Sequence, residues 1–412
     1  MGKDSNKHLV GQPILKQIVD LVPRSLFDKL VFEQDSDRYY KTFDSWKQFV
    51  TLLFGILSRC DSTTEIASGM QALQGKLNHL GVDSSPAKST IGDGLRNRDE
   101  AFFRKLYFAL IDYFSCVLSV SREEKVPFEH FYAFDSTTIT LFSEVMKGVG
   151  RNPEGDGKKK GGLKVHMMID VHSDTAKFAR ISEAKMHDKK FLKHLTLPKG
   201  SMIVFDKAYN HYAQFSKWTQ EDIFFVCRLK DNAVYKVEEV LFEQELTENT
   251  PTVMREEHIH IQYKPYPNSK TKKPLCLRKV TYRDEKGRIY QFITNNFQIS
   301  NQMVAFIYKK RWSIELVFKK LKQNFQLHYF YSETENGIKT QIWCTLIAQL
   351  LLMVLKAKTK TKKAFSTVAA LIRIHLISHL DLYWLIQNCS RTYIKKKVKR
   401  NKSPGIQLQL DW

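Results

Sequence analysis

Apolar and polar residues in the first 125 positions recur at helical spacing. Phe43-Asp44-Ser45-Trp46 leads into KQFVTLLFGILSRC, an apolar-rich helix. Ser62-Thr63-Thr64-Glu65 supplies capping residues for a second helix, expected to stop at Gly81. Ser85 to Thr90 is a polar turn ahead of the Arg- and Lys-bearing helical stretch IGDGLRNRDEAFFRKLYFALIDYF. From Phe128 the texture changes. FEHFYAFDSTTIT is aromatic and β-branched and predicts a strand ending at Asp135. LKVHMMIDV and AKFARISEA predict a hairpin turning at His172 to Thr175. A helical stretch, DKKFLKHL, leads to the strand SMIVFD, which ends at Asp206. A helix around Ala213 to Gln220 and the strand FFVCRL follow. Alternation from Val253 to Tyr263, LCLRKVTYRD, and RIYQFITNN after the Gly287 turn predict a β-rich insertion between about 231 and 297. Asn301 to Phe330 contains no Gly or Pro and reads as helix. Ile342 to Leu355 reads as a core helix, and VAALIRIHLISHLDLYWLI as a last helical segment.

These patterns divide the chain into a helical N-terminal region (1–125), a mixed core (126–230), the β-rich insertion (231–297), the rest of the core (298–355) and a basic helical C-terminal region (356–412). With 43% apolar residues in 412, such a chain can bury real cores. Its net charge of +22, from 65 Lys+Arg against 43 Asp+Glu, points to a polyanionic partner, because a basic surface binds phosphate chains through counterion release. The run Ile342 to Leu355 is too short to span a bilayer, so nucleic acid is preferred to a membrane. Six scattered cysteines form no CxxC pair, and the N-terminus has no apolar signal region. Both fit a reducing cytoplasm. The helix, turn and basic helix before residue 125 are compatible with a helix-turn-helix that contacts phosphates through Lys88, Arg96 and Arg98, although a plain bundle would look the same. The loop Gly155 to Gly162 reads as basic and too Gly-rich to pack. The cations of the tail RTYIKKKVKRNK suit a grip on DNA or a disordered end.

The chemistry concentrates around Tyr308 to Lys322. On a straight helix Tyr308, Arg311, Glu315 and Lys322 fall at roughly 0, 300, 340 and 320°, one narrow stripe, with Lys319 beside it. On spacing alone this is most often a solvated face with i,i+4 pairs. The other reading is a metal-binding carboxylate among phosphate-holding cations. Two aspartates favour the second reading. The order strand, strand, strand, helix, strand, helix, strand, with carboxylates ending the first and fourth strands, is that of an α/β, ribonuclease H-like catalytic core. In that order Asp135 and Asp206 meet at one sheet edge. Asp135, Asp206 and Glu315 are thus candidate ligands for Mg²⁺, and two such ions suit in-line displacement at phosphorus.

The residues FDSTT (134–138), VFDKAY (204–209) and Tyr308-x2-Arg311-x3-Glu315-x6-Lys322 resemble the signature of DDE transposases of bacterial insertion sequences, in the insertion-sequence-four branch with its Tyr-Arg-Glu-Lys motif. The resemblance implies a ribonuclease H-like core with a β insertion before the glutamate. It implies cut-and-paste transposition dependent on two Mg²⁺, with Mn²⁺ as a substitute, through end nicking, DNA hairpins and strand transfer. It makes Asp135, Asp206 and Glu315 the catalytic metal ligands, and Tyr308, Arg311 and Lys322 contacts to DNA phosphates. Lys164 and His166 match the family's Lys-x-His strand, and Tyr290 stands near the place of a base-stacking aromatic. The implied partners are double-stranded DNA, as terminal inverted repeats and target, and a second copy of the chain. One departure is plain: Lys207-Ala208 replaces the usual basic-Gly pair after the second aspartate. A catalytically silent DNA-binding repressor and a nuclease that does not join strands are the alternatives.

Overall fold

The computed structural model describes residues 11–118, 126–140, 150–151, 160–183, 191–244, 251–266, 268–325, 327 and 329–389. They fall into two units. One takes the described residues up to Leu118, those of 323–332 and those from Asn336 onward; the other takes those of 119–322 with 333–335.

The first unit begins with helices α1 (Ile14–Val19), α2 (Arg24–Glu33), α3 (Ser45–Ser58), α4 (Thr63–Ala72), α5 (Lys88–Asn97), α6 (Ala101–Tyr113) and α7 (Ser115–Leu118). Asp44 caps α3 by accepting from the Lys47 amide at 2.7 Å. Behind the cap, α3 is buried from Ser45 to Leu57 apart from Lys47. Ser62 caps α4 by accepting from the Glu65 amide. This helix ends at Ala72, short of the predicted Gly81. The chain instead tightens into a 3₁₀ turn, Leu77–Leu80, where the Leu80 carbonyl accepts from the Trp46 indole at 2.9 Å. Gly81 follows at φ +69°, a conformation that terminates the turn cheaply only for glycine.

Helices α3 and α4 approach closely at Gly55, where an added Cβ would lie 2.5 Å from Ile66 Cδ1. A Gly55→Ala chain is therefore expected to be destabilised by about 1–3 kcal/mol in urea unfolding, the usual cost of overpacking a filled core. Unchanged stability would mean that the two helices separate freely.

The second unit is built on one sheet, among the described residues of ten strands: β1 (Phe131–Thr140), β2 (Gly150–Arg151), β3 (Lys160–Asp170), β4 (Thr175–Glu183), β5 (Met202–Phe205), β6 (Phe224–Arg228), β7 (Lys236–Glu243), β8 (Thr252–Tyr263), β9 (Lys273–Arg283) and β10 (Ile289–Thr294). Their order is β2-β3-β1-β5-β6-β10-β9-β8-β7, with β4 paired to β3. β1, β5 and β6 are parallel, and β3, β4 and β10 are antiparallel to their neighbours. The four residues of β5 are all buried, as a central parallel strand covered on both faces requires. Alternation then sorts the faces. Phe134, Phe205, Phe225 and Cys227 enter a core with Phe215 and Trp218 of α8 (Tyr212–Gln220).

Residues 231–297 do not form a separate body, because β7 to β10 continue the same sheet. Their far end fixes the next helix. Arg278 donates to Glu256 at 2.6 Å and to the Ile299 carbonyl at 2.5 Å, and Asn301 donates to Glu256 at 3.0 Å. This clamp sets the start of α9 (Asn301–Lys309), which Ser300 caps through the Met303 amide.

Several expectations need correcting. Asp135 does not end its strand, since β1 runs on to Thr140. Lys160 to Gly162, expected in a loop too Gly-rich to pack, belong to β3, while 155–159 lie outside the described residues. DKKFLKHL shows only the 3₁₀ turn Leu192–His194, with 188–190 outside the described residues. The C-terminal basic tail also lies outside them.

After α9 comes α10 (Trp312–Asn324), and the first unit is completed by α11 (Glu335–Thr359), α12 (Phe365–Ile374) and α13 (Leu382–Asn388). At 25 residues, with an 18-residue window of mean hydropathy 1.6, α11 is long and apolar enough to cross a membrane, yet 89% of that window is buried in the fold. A helix apolar on all sides is a core helix when protein surrounds it. Its Gln341 donates to the Tyr329 carbonyl and accepts from the Tyr331 amide, both at 2.8 Å, so its polar group is bonded inside.

Candidate active site

Register brings the two aspartates together. Phe134 of β1 pairs with Phe205 of β5 in parallel alignment, so the next residue on each strand is an aspartate. Alternation turns both away from the aromatic core toward the face where α9 packs. β5 stops at Phe205, so Asp206 emerges beside a β1 strand that has lost its partner on that side.

Helix α9 stops at Lys309 and α10 starts at Trp312, so the single straight helix expected across Tyr308 to Lys322 is broken. No Gly or Pro causes the break. The amides of Lys310 and Arg311 bond three residues back, to Ile307 and Tyr308, which tightens the turn. Tyr308, in the last turn of α9, donates to Asp206 at 3.2 Å and packs its ring on Phe292 at 4.5 Å. Arg311, in the turn, donates to Asp135 at 3.2 Å and to Glu315 at 2.7 Å. Glu315 lies in the first turn of α10, where the helix dipole favours a carboxylate. A side chain from β1, one from the end of β5 and three from the α9–α10 corner thus converge.

The cluster gathers three carboxylates around one guanidinium. Burial pushes the Asp135 carboxyl up to about 6, against its bond from the Ser136 amide and the pull of Arg311, while Asp206 and Glu315 push the same way as burial. Burial also drives the Tyr308 phenol far above its usual range, with Asp206 adding to that shift and Arg311 and Arg228 opposing it. Arg311 is held above the usual arginine range despite its burial, through Tyr308, Glu315 and Asp135. Two of its guanidinium nitrogens serve carboxylates. The third, Nε, is buried without a hydrogen-bond partner.

Other residues named from the sequence are placed variously. Lys322 donates to the Thr138 carbonyl of β1 at 3.1 Å. Lys164 is half-buried on β3, in register with Thr138, and Lys319 is exposed on α10. His166 is fully buried, stacked on Phe191 at 3.5 Å and 2.9 Å from Ser182 Oγ, so it offers DNA no surface. Tyr290 is half-buried on β10, with the Arg228 guanidinium 5.1 Å from its ring. Trp312 is 57% exposed.

In the helical unit Lys88 and Arg96 are exposed on α5, Arg96 beside Asp93 at 3.4 Å. Arg98 is 2% exposed. It donates to the carbonyls of Ser36 and Phe43 and to the side chains of Gln48 and Asp37, under the Tyr40 ring. That guanidinium is a structural hub rather than a phosphate contact. The substitution of Lys207-Ala208 for a Gly-containing pair is accommodated, because Lys207–Tyr209 forms a 3₁₀ turn with no positive φ. Arg228 was missed. It follows Cys227, which pairs with Phe205, so it stands level with Asp206 on the next strand. Its signal was a cation at the end of FFVCRL.

Comparison with known proteins gives the family. The model of the transposase DDE domain matches residues 127–351, more than half of the chain. This chain belongs to that family. A domain of unknown function matches residues 10–83. A protein of Sinorhizobium fredii described as a transposase is 28% identical over 47% of this chain and 53% of its own length. One from Geobacillus stearothermophilus, described as the transposase for insertion sequence element IS5377, is 25% identical over 61% of this chain and 63% of its own. One from Synechocystis, described for element IS4SA, is 24% identical over 77% of this chain and 83% of its own. The chain thus spans between half and two thirds of the first two relatives. A solved structure, the piggyBac transposase synaptic complex with hairpin DNA, aligns with 96% of this chain and 87% of its own at a TM-score of 0.43 and 13% identity.

Proposed function

We propose that this protein is a DDE transposase that cuts the ends of an insertion sequence and joins them to target DNA. The observation that carries the reading is the Asp135–Arg311–Glu315 bridge with the Asp206–Tyr308 pair beside it. The core is read as ribonuclease H-like, supported by the strand order β4-β3-β1-β5-β6 with an antiparallel β3. Residues 231–297 are its insertion, and the helical residues before 125 are a DNA-binding region with Lys88 and Arg96 exposed.

The three carboxylates fit a divalent cation: they are hard oxygen donors, and the structure already holds a cation, the guanidinium, between two of them. Asp135, Asp206 and Glu315 would hold Mg²⁺, as two ions, with Mn²⁺ able to substitute. When bound, these ions supply Lewis acidity at the attacking and leaving oxygens. The chain's own residues do the rest. Arg311 releases its carboxylates and turns to a phosphate, which would also give its orphaned Nε an acceptor. The Tyr308 hydroxyl and the Lys322 ammonium orient the scissile phosphate, and Arg228 and Tyr290 line the neighbouring strands. Pairing two element ends calls for two copies of the chain, acting in the bacterial cytoplasm, with DNA hairpins as the intermediate.

The test is joining. With Mg²⁺, duplexes ending in the element's inverted repeats are expected to become covalently linked to a supercoiled plasmid. Nicking without joined product would support the nuclease, and binding without nicking the silent repressor.

A further inference from the structure

Away from the acidic site, toward the β7 edge of the same sheet, lies a second cluster of ligand-type side chains. His260 of β8 pairs directly with Cys276 of β9 and with Lys236 of β7. The β7–β8 register shifts between Val237 and Glu239, so Glu238 is the extra residue of a β-bulge, a device that re-aims a side chain. Here it aims Glu238 into the His260 row: the carboxylate Oε2 lies 2.6 Å from the imidazole Nε2. The other ring nitrogen, Nδ1, is buried without a hydrogen-bond partner. Among the described residues, Glu238, His260 and Cys276 are the His/Cys/Asp/Glu group whose ligand atoms all lie within 4.8 Å of one another. The acidic trio, held apart by a guanidinium, is not such a group.

We propose that Glu238, His260 and Cys276 form a transition-metal site, of the kind that takes Zn²⁺, which ties together the three outer strands of the sheet. The donor set decides the class of ion. The thiolate and the imidazole, softer donors beside one carboxylate, select Zn²⁺ over Mg²⁺, and three protein ligands leave a fourth position for water. The hydrogen bond between imidazole and carboxylate already brings these donors nearly to the spacing of a tetrahedral shell. A cysteine binds such an ion as the thiolate, so the ion would displace the Cys276 thiol proton on binding.

The fold also has a use for such an ion. β7 is the edge strand, every one of its residues is exposed, and its pairing to β8 is interrupted by two register shifts. Its neighbours are anchored on the opposite face, where Ile259, Ile261, Leu275 and Leu277 enter the core. Ligands on β7, β8 and β9 would let one ion pin the loose strand to the two anchored ones.

The test uses the full chain with excess Mg²⁺, which occupies all-oxygen sites, and titrates in CoCl₂. The expected result is one Co²⁺ per chain with a near-ultraviolet sulfur-to-cobalt band, displaced by ZnCl₂. Cys276→Ser should abolish the band, and His260→Gln should weaken Co²⁺ binding by at least about tenfold. Zn²⁺ should also slow hydrogen exchange of the β7 amides in the wild type but not in Cys276→Ser, a readout independent of DNA cleavage. A wild type without the thiolate band would overturn the proposal, as would a band that persists in Cys276→Ser.

Discussion

An Arg311→Gln protein is expected to cleave DNA about 10²- to 10³-fold more slowly and yet to be stabilised by Mg²⁺ more than the wild type. The guanidinium stands between Asp135 and Glu315, at 3.2 and 2.7 Å, where a divalent cation would sit. In the proposed function its removal would take away a fixed cation for the scissile phosphate, and losing one preorganised donor typically costs that much in rate. It also leaves two carboxylates facing each other without a counter-charge. Breaking a fully buried pair costs 3–5 kcal/mol, but the Glu315 side chain is 35% exposed, so about 2 kcal/mol is expected in the metal-free protein. Mg²⁺ should restore that loss, because it no longer competes with a guanidinium for the same oxygens. Melting temperatures with and without Mg²⁺ decide the matter. Equal Mg²⁺-induced shifts in the two proteins would mean that Arg311 and the metal do not share a place.

Asp135→Asn should abolish cleavage while making the metal-free protein more stable at neutral pH. The Asp135 carboxyl is raised to about 6, above its unfolded value, so the native state binds more protons across the interval between them. Stability from this group is therefore full below about pH 4 and falls as pH rises through about 6. Two pH units at 1.36 kcal/mol each set an upper bound of about 3 kcal/mol. Asparagine carries no charge to desolvate. The variant should thus gain about 1–3 kcal/mol over the wild type near pH 7.5 and nothing near pH 4, in urea unfolding without metal. Loss of a metal ligand removes several kcal/mol of transition-state stabilisation, so cleavage should drop at least about 10³-fold. A variant less stable than the wild type at pH 7.5 would show that the Arg311 pairing outweighs the burial of the charge. Stability given up at a reactive centre in this way is the usual exchange for function.

Much of this site could be read before the fold. Asp135 and Asp206 each follow a run of apolar residues, and such runs become central strands whose register leaves little freedom, so the two aspartates had to meet. The corner at Lys310–Arg311 could not be read, because nothing in its residue types breaks a helix. At the break Arg311 bonds to Asp135, and the ideal stripe of Tyr308, Arg311, Glu315 and Lys322 is replaced by two short helices that reach the same cluster. Burial misled in the other direction at Arg98 and His166. Sequence shows that a side chain can hold a phosphate, not whether its donors are already engaged inside the fold. β7 escaped notice because KVEEVLFE has no apolar face to bury, and all of its residues are exposed. The β-rich insertion was recognised by alternation, but only the pairing of β10 with β6 shows that it extends the central sheet.

The central claim is that Asp135, Asp206 and Glu315 cut DNA together with a divalent cation. The most direct measurement is strand cleavage of a duplex carrying the element's inverted repeats, with Mg²⁺ or Ca²⁺, by the wild type and by Glu315→Gln. The account predicts nicking at the repeat ends with Mg²⁺, none with Ca²⁺, and none in the variant although it still binds the duplex. Nicking that survives Glu315→Gln, or tight binding without nicking in the wild type, would contradict it.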